Sequence, residues 1–193
     1  MPVNTSGYSQ ISCDCMRIVI TGSPGTGKSI IARLLSRKMR LELVDIKKIV
    51  EQKKLCAGSS REVDIGKLAK ALDFLKKKKD YVVEGHLACE LRLPADFIFV
   101  LRTHPDVLRR RMARRKYGNR KIQENLMAEM LDYCTQRVEK IYRKKPLELD
   151  TSSRTAAKSA AEMEKAIKQK KKKLDSVNYS KELKAHLRLG RSS

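Results

Sequence analysis

Apolar residues fall along this chain in short runs separated by longer amphipathic stretches, and the two kinds alternate. Arg17-Ile18-Val19-Ile20-Thr21, Tyr81-Val82-Val83 and Phe97-Ile98-Phe99-Val100-Leu101 are nearly continuous apolar runs. That is the pattern of strands buried on both faces of a parallel sheet. Leu41-Glu42-Leu43-Val44-Asp45 reads as a further strand, and Leu147-Glu148-Leu149-Asp150 as a weaker one at an edge. Between these runs the period lengthens. Ile30, Ile31, Leu34, Leu35 and Met39 fall at helical spacing across 29–39, and Leu68, Leu72 and Leu75 line one face of 66–78 with lysines opposite. The stretch 105–116 opens on Pro105, whose missing N–H is harmless in a first helical turn. Ile122, Leu126, Met130, Tyr133, Val138 and Ile141 stripe one long helix, and Ala156, Ala160, Met163 and Ile167 stripe the last. Strands alternating with helices predict βαβ units, hence an α/β fold with a parallel sheet and helices on both of its faces.

Length and composition narrow this picture. The 193 residues, 41% of them hydrophobic, suffice for one ordinary domain with a real core. No apolar stretch approaches the ~18 residues of a membrane span. The polar stretch Met1 to Cys15 lacks the apolar centre of a signal peptide. The expectation is an intracellular chain, cytoplasmic or, in a eukaryote, nuclear, with no membrane partner. Residues 1–15 read as a leader without structure or as a mis-assigned start, Met16 being a natural one. The five cysteines are odd in number and scattered, which argues against a disulfide framework. Cys13 and Cys15 have no matching pair for zinc.

Charge changes the picture more. Lys and Arg number 44 against 22 Asp and Glu, a net of +22, where a small soluble domain usually carries a magnitude of roughly 2–8. Such an excess either attracts polyanions at long range or is a lysine-rich solvated surface. With 5% aromatic residues and no Trp, phosphate contact is expected over base stacking. From about Lys165 onward ten Lys or Arg face only Asp175 and Glu182. Like charges so dense oppose compaction, so 169–193 is read as a basic tail beyond the core.

The chemistry concentrates at Gly22-Ser23-Pro24-Gly25-Thr26-Gly27-Lys28-Ser29, which satisfies G-x-x-x-x-G-K-[ST] at every fixed position. It lies where the motif belongs, after a strand and at the opening of a helix. Glycines there let backbone N–H groups turn inward around phosphate oxygens, and the helix N-terminus adds unpaired donors and partial positive charge. Lys28 is assigned to the β- and γ-phosphates of ATP, the Ser29 hydroxyl to Mg²⁺, and the Ile30 amide to the α-phosphate. A second acidic group is expected at the end of a neighbouring strand to orient Mg²⁺. Glu84 is the candidate, with His86 two residues on, either an active-site group or a loop histidine satisfied by backbone. Asp45 reads as a monophosphate contact or a helix cap. Eight of the thirteen residues from Arg109 to Lys121 are basic and none is acidic. Such a run is a solvated helix face or a short lid whose arginines neutralise a transferring phosphoryl group.

Together, Gly22 to Ser29, Glu84-Gly85-His86 after a buried strand, Val100-Leu101-Arg102-Thr103, Arg115-Lys116-Tyr117 and Asn125 resemble the adenylate kinase isoenzyme 6 family. Its members are also called coilin-interacting nuclear ATPases, and it has an archaeal branch. The resemblance covers roughly 16–168 and implies a P-loop NTPase fold of the nucleoside monophosphate kinase type. In that fold a five-stranded parallel sheet carries a monophosphate-binding segment, about 45–65, and a short lid, about 114–124. It implies ATP contacts at Gly25, Thr26, Gly27, Lys28, Ser29 and Ile30, Arg115 in the lid, and Arg154 beside the adenine. The implied catalytic set is Lys28, Glu84, His86 and Arg115, with Ser29 and Glu84 toward the metal. Phosphoryl transfer from ATP to AMP or another nucleoside monophosphate is implied, with ATPase activity. So is a role in late maturation of the small ribosomal subunit and 16S/18S rRNA processing, with a small-subunit ribosomal protein and pre-rRNA as partners. Two departures stand out: the family's acid-x-His step usually begins with Asp where this chain has Glu84. Lys47 and Lys48 stand where orthodox adenylate kinases carry an arginine. The alternative is an assembly ATPase that binds RNA and has little or no kinase activity.

Overall fold

Five parallel strands form the centre of the molecule, seen in a computed structural model that describes residues 15–56 and 62–189. They are β1 (Arg17–Gly22), β2 (Glu42–Asp45), β3 (Tyr81–Glu84), β4 (Phe97–Arg102) and β5 (Leu147–Asp150), in the order β2-β3-β1-β4-β5. The middle three are buried along almost their whole length, as their unbroken apolar runs require, whereas β5 alternates in exposure as its sequence does. Helices cover both faces. Against one face, α1 (Lys28–Met39) and α7 (Ala156–Lys168) join Ile18, Ile20, Phe99 and Leu101 in one core cluster. On the other face Val19, Val83 and Val100 pack with Leu68 of α3 (Ile65–Ala71) and with Val138 of α6 (Tyr133–Tyr142). The register sets Glu84 beside Ile20 and Leu101 beside Gly22, so the strands' carboxyl ends deliver the phosphate loop and the acid-x-His step to the same rim. Ligands bind at that rim, outside the carboxyl ends, in open α/β sheets.

Three elements differ from the sequence reading. The helix expected over 66–78 is α3 followed by a 3₁₀ turn, Asp73–Lys76. Leu68, Leu72 and Leu75 are all buried despite the break, because the tighter turn keeps the third leucine on the same side. Beyond β2 a short helix appears, α2 (Ile46–Gln52), capped by Asp45, whose carboxylate accepts from the Lys48 N–H at 3.2 Å. The cap is thus the role the structure gives Asp45. The long helix expected over 122–141 is α5 (Asn119–Met130) and then α6, parted at Asp132, whose φ of 53° is left-handed. Asp tolerates that conformation better than most residues, and there it reaches the Arg102 guanidinium.

The basic tail expected beyond the core is, over its described part, packed against the body. Asp175 pairs with Arg154 and accepts the Asp150 N–H at 2.8 Å. Tyr179 is buried beside Leu108 and Met112 of α4 (Pro105–Arg114) and Leu126 of α5. The helix α8 (Ser180–Leu189) follows. Charge repulsion did not prevent this because the three anchors, Asp175, Tyr179 and the half-buried Leu183, are uncharged or acidic. Tyr179→Ala is therefore expected to cost about 3 kcal/mol, as aromatic truncation in a core does. For a chain of this size that lowers the melting temperature by roughly 6–12 °C, read by calorimetry. The expected leader, 1–15, lies outside the described residues except for Cys15, and so does part of the expected monophosphate segment, at 57–61.

Candidate active site

The phosphate loop leaves β1 at Gly22 with a φ of 138°, and a Cβ added there would stand 2.4 Å from the Leu101 carbonyl oxygen. Only glycine lets the chain turn away so close to the neighbouring strand. Gly27, also at positive φ, caps α1 without a side chain, so the helix's first amides open directly onto the loop. Lys28 follows, almost wholly buried, with its Nζ donating to the Ser23 carbonyl at 2.9 Å. Burial lowers its pKa, while the Cys134 thiol and the carboxylates of Glu84 and Glu129 act the other way. Those carboxylates favour the charged form of the ammonium.

Two adjoining cavities share Gly25 and Gly27 of this loop, and a third, about 220 Å³, touches it at Gly22, Ser23 and Pro24. The first, about 210 Å³, is lined by Pro24, Gly25, Gly27, Lys28, Ser29, Ile30, Lys47, Glu84, Gly85, His86, Arg115 and Tyr117. The second, about 300 Å³, is lined by Gly25, Thr26, Gly27, Ile30 and Ile31 from the loop and α1. Arg111, Arg114 and Arg115, then Thr151, Arg154 and Ala156, complete it. Gly25, Gly27, Ile30 and Arg115 belong to both. Every residue singled out in the sequence for ATP, metal or catalysis thus lines one cavity or both. Of the basic run, Arg111, Arg114 and Arg115 face a cavity and Arg109 and Arg110 do not.

Glu84 is buried at the end of β3, and burial raises its pKa. The hydrogen bond from Ser29 and the nearby Lys28 charge pull down, and the charge of Asp45 pushes up. A hydroxyl and a carboxylate are hard oxygen donors of the kind magnesium takes, and among the described residues no cluster of three or more His, Cys, Asp or Glu could enclose a metal. That pair suits an ion that keeps most of its waters and shares phosphate oxygens.

His86 opens a 3₁₀ turn, His86–Glu90, and its carbonyl accepts from the Thr21 hydroxyl at 3.2 Å and the Cys89 thiol at 3.1 Å. His86 lines the first cavity and remains exposed on its open side; partial desolvation by the surrounding protein and the charges of Lys28 and Lys121 lower its pKa, to about 4. The ring is neutral at pH 7 and can accept a hydrogen bond or proton there. Its pKa is below the ordinary 6.5, so the unfolded chain takes up a proton that the folded one refuses. The stability this contributes, kept small by solvent screening at an exposed residue, is present above about pH 6.5 and lost as the pH falls toward 4. Denaturant unfolding of native protein and His86→Asn should show a steeper acid loss in the native chain. Equal slopes would mean the ring titrates normally.

Around the second cavity the contacts are specific. The Thr151 hydroxyl donates to the Thr26 carbonyl at 2.9 Å, tying the end of β5 to the phosphate loop. Arg111 donates to the Thr151 carbonyl at 2.6 Å and to its hydroxyl at 3.2 Å. Burial and the neighbouring Arg115 charge lower the Arg111 pKa. Arg154 donates to the Asp150 carbonyl at 2.8 Å and pairs with Asp175.

Sequence reasoning missed a buried ionic cluster behind the loop. Arg102 and Glu129 are each only 2% exposed and bond at 2.8 Å from Nε to Oε1. Glu148 accepts from Arg102 at 2.5 Å, Asp132 accepts as well, and the guanidinium lies 5.2 Å from the centre of the Tyr179 ring. Burial works against the Arg102 charge, but the surrounding carboxylates outweigh it and raise the pKa.

Comparison with known proteins agrees with this geometry. A family model described as the AAA domain matches residues 18–132. The chain is 33% identical over 172 residues to "Putative adenylate kinase" of Methanocaldococcus jannaschii, covering 86% of this chain and 93% of that one. It is 34% identical over 186 residues to the protein of that name from Pyrococcus abyssi, covering 91% and 99%. Among solved structures it resembles shikimate kinase from Acinetobacter baumannii in complex with shikimate, with a TM-score of 0.62 at 17% identity over 82% of this chain and 96% of that one. Shikimate kinase from Aquifex aeolicus gives a TM-score of 0.53 at 16% identity, covering 80% and 98%. At such identities the likeness is one of fold, that of the P-loop kinases.

Proposed function

Because this chain belongs to the adenylate-kinase-like family of those archaeal proteins, we propose that it is an ATP-dependent phosphotransferase. It moves the γ-phosphoryl group of ATP to AMP and yields two ADP. One observation carries the reading: a single phosphate loop walls two cavities, and Arg115 reaches both. ATP lies with its base in the second cavity toward Arg154 and its phosphates running over the amides of Gly25 to Ile30 into the first, where Lys28 and Ser29 stand. The acceptor monophosphate enters the first cavity, beside Lys47, Glu84 and His86.

Little covalent work falls to the protein in such a transfer; positioning and charge neutralisation carry it. Lys28 holds the β- and γ-phosphates and follows the charge that spreads over the equatorial oxygens. Arg115, on the segment expected as a lid at 114–124, neutralises the same charge from the other side. Ser29 and Glu84 would hold magnesium, which would supply further charge neutralisation for the phosphates. Neutral His86 donates its ring N–H to the attacking phosphate oxygen, or orients a water where no acceptor is bound, giving a slow ATPase. The monophosphate-binding segment of about 45–65 offers Lys47 as a point charge, without the bidentate fork of an arginine.

Initial rates of ATP consumption without acceptor, and with AMP, GMP, CMP and UMP in turn, test the reading. AMP is expected to give the highest rate. Equal consumption in all five mixtures would make the chain a hydrolase instead.

The charge of +22 favours an additional role as an assembly ATPase of the isoenzyme 6 type. It would act in late maturation of the small ribosomal subunit, with pre-rRNA and a small-subunit ribosomal protein as partners. Each phosphate neutralised contributes about −0.9 on duplex or −0.7 on single strands to the slope of log affinity against log salt. Replacing Lys171, Lys172 and Lys173 by serine is expected to flatten that slope on small-subunit rRNA by roughly 2. An unchanged slope would remove these lysines from the interface.

A further inference from the structure

We infer that Glu129 is a positioning residue for the phosphate loop, acting through Ser23 on the ammonium of Lys28, in the phosphoryl transfer on whose reading this inference rests. Glu129 comes from α5, 106 positions along the chain from Ser23, yet its Oε2 accepts the Ser23 hydroxyl at 2.5 Å in a buried contact. Its other oxygen accepts from Arg102 Nε at 2.8 Å and from the Thr103 N–H at 3.0 Å. Arg102 also donates to the Glu129 carbonyl at 2.9 Å, so both the side chain and the backbone of that residue are pinned. The carboxylate therefore presents a fixed acceptor to the loop, and bonds to an ionised acceptor are about twice as strong as neutral ones.

Ser23 passes that constraint on. While its hydroxyl is held by Glu129, its carbonyl accepts from Lys28 Nζ at 2.9 Å and from the Thr26 hydroxyl at 2.9 Å. An ammonium has three N–H donors. Committing one of them to a carbonyl that cannot move sets the directions of the other two, which are the ones available to phosphate oxygens. Without the tether Ser23 is held only through its carbonyl, by the Thr26 hydroxyl and by the Thr26 N–H at 3.3 Å, and Lys28 loses part of its aim. A misplacement of about 1 Å at a catalytic group is enough to cost up to ~10²-fold in rate. Arg102 has a second purpose in this arrangement: it neutralises a carboxylate that would otherwise repel the phosphates from behind the loop.

A purely structural Glu129, present only as the counter-ion of Arg102, makes a different forecast. Ser23→Ala separates the two, because it deletes the hydroxyl and leaves the Arg102–Glu129 pair whole. The full-length native protein, Ser23→Ala, Glu129→Gln and the double variant are compared for kcat, for KM of ATP and AMP, and for melting temperature. Calorimetric affinity for a non-hydrolysable Mg·ATP analogue is measured beside them. Ser23→Ala is expected to lower kcat about tenfold, the equivalent of about 1.4 kcal/mol. It should leave KM for AMP unchanged and weaken the analogue severalfold. Glu129→Gln is expected to lower both kcat and melting temperature when made alone, and to lower only the melting temperature when added to Ser23→Ala. A kcat of Ser23→Ala within twofold of native overturns the inference. So does a Glu129→Gln penalty in kcat that is the same with and without the Ser23 hydroxyl. If Glu129→Gln does not fold, Ser23→Ala decides alone. Should the native protein make no ADP from AMP, the kinase reading fails, and analogue affinity decides the tether: severalfold weakening by Ser23→Ala supports it and an unchanged value removes it.

Discussion

Lys28→Ala is expected to lower kcat for ADP formation by about 10²–10³, the loss that follows removal of one preorganised charge-stabilising donor. KM for AMP should stay close to native, since an interaction made chiefly in the transition state is lost from kcat. The buried setting explains the size. Lys28 is nearly closed to solvent, and water would stand in poorly for its Nζ in a pocket already walled by the loop. Arg115 cannot replace it, because it approaches from the cleft side that both cavities share. A variant whose kcat stays within about threefold of native would show that another group stabilises the transferring phosphoryl, contrary to the role given to Lys28.

Arg102→Met should have the largest effect on stability. It leaves Glu129, Asp132 and Glu148 facing one another with their shared cation gone, and Glu129 is 2% exposed. Removing one partner of a buried ion pair costs roughly 3–5 kcal/mol, mostly from the charge left behind. For a chain of this length the melting temperature should fall by roughly 6–20 °C. Adding Glu129→Gln should recover part of that loss, because it removes the most deeply buried of the stranded charges. A melting temperature within about 2 °C of native for Arg102→Met would mean the cluster is hydrated and worth little.

The contrast between loop and cluster shows what was legible in the sequence. Gly22 to Ser29 is local: its glycines, lysine and serine act within one turn of chain, so the motif and its place at the end of β1 could be read directly. The parallel sheet was legible for a similar reason, since Ile18 to Ile20 and Ile98 to Leu101 have no polar face to offer solvent. Glu84 and His86 could be placed because they end a buried strand next to β1. The partnership of Ser23 with Glu129 is not local. Its only trace is Glu129 on the apolar stripe of α5 with Ile122 and Leu126, a charge where the helix period calls for a hydrophobe. Arg102 at the close of an otherwise apolar strand is the matching trace. Helix periodicity also carried straight through Asp132, because Tyr133 and Val138 resume the stripe, and the break depends on a guanidinium 30 positions away. Composition misled at the C-terminal end, where the lysines dominate the count and Asp175 and Tyr179 set the path.

Equilibrium melting with and without Mg·ATP tests the central claim most directly, that inward-turned amides and the Lys28 ammonium grip a triphosphate. At a concentration about a hundred times its dissociation constant, a ligand of the folded state stabilises by ~2.7 kcal/mol. The native protein should then melt roughly 5–10 °C higher, and Lys28→Ala by much less. A native chain whose melting temperature does not move in saturating Mg·ATP would contradict the account.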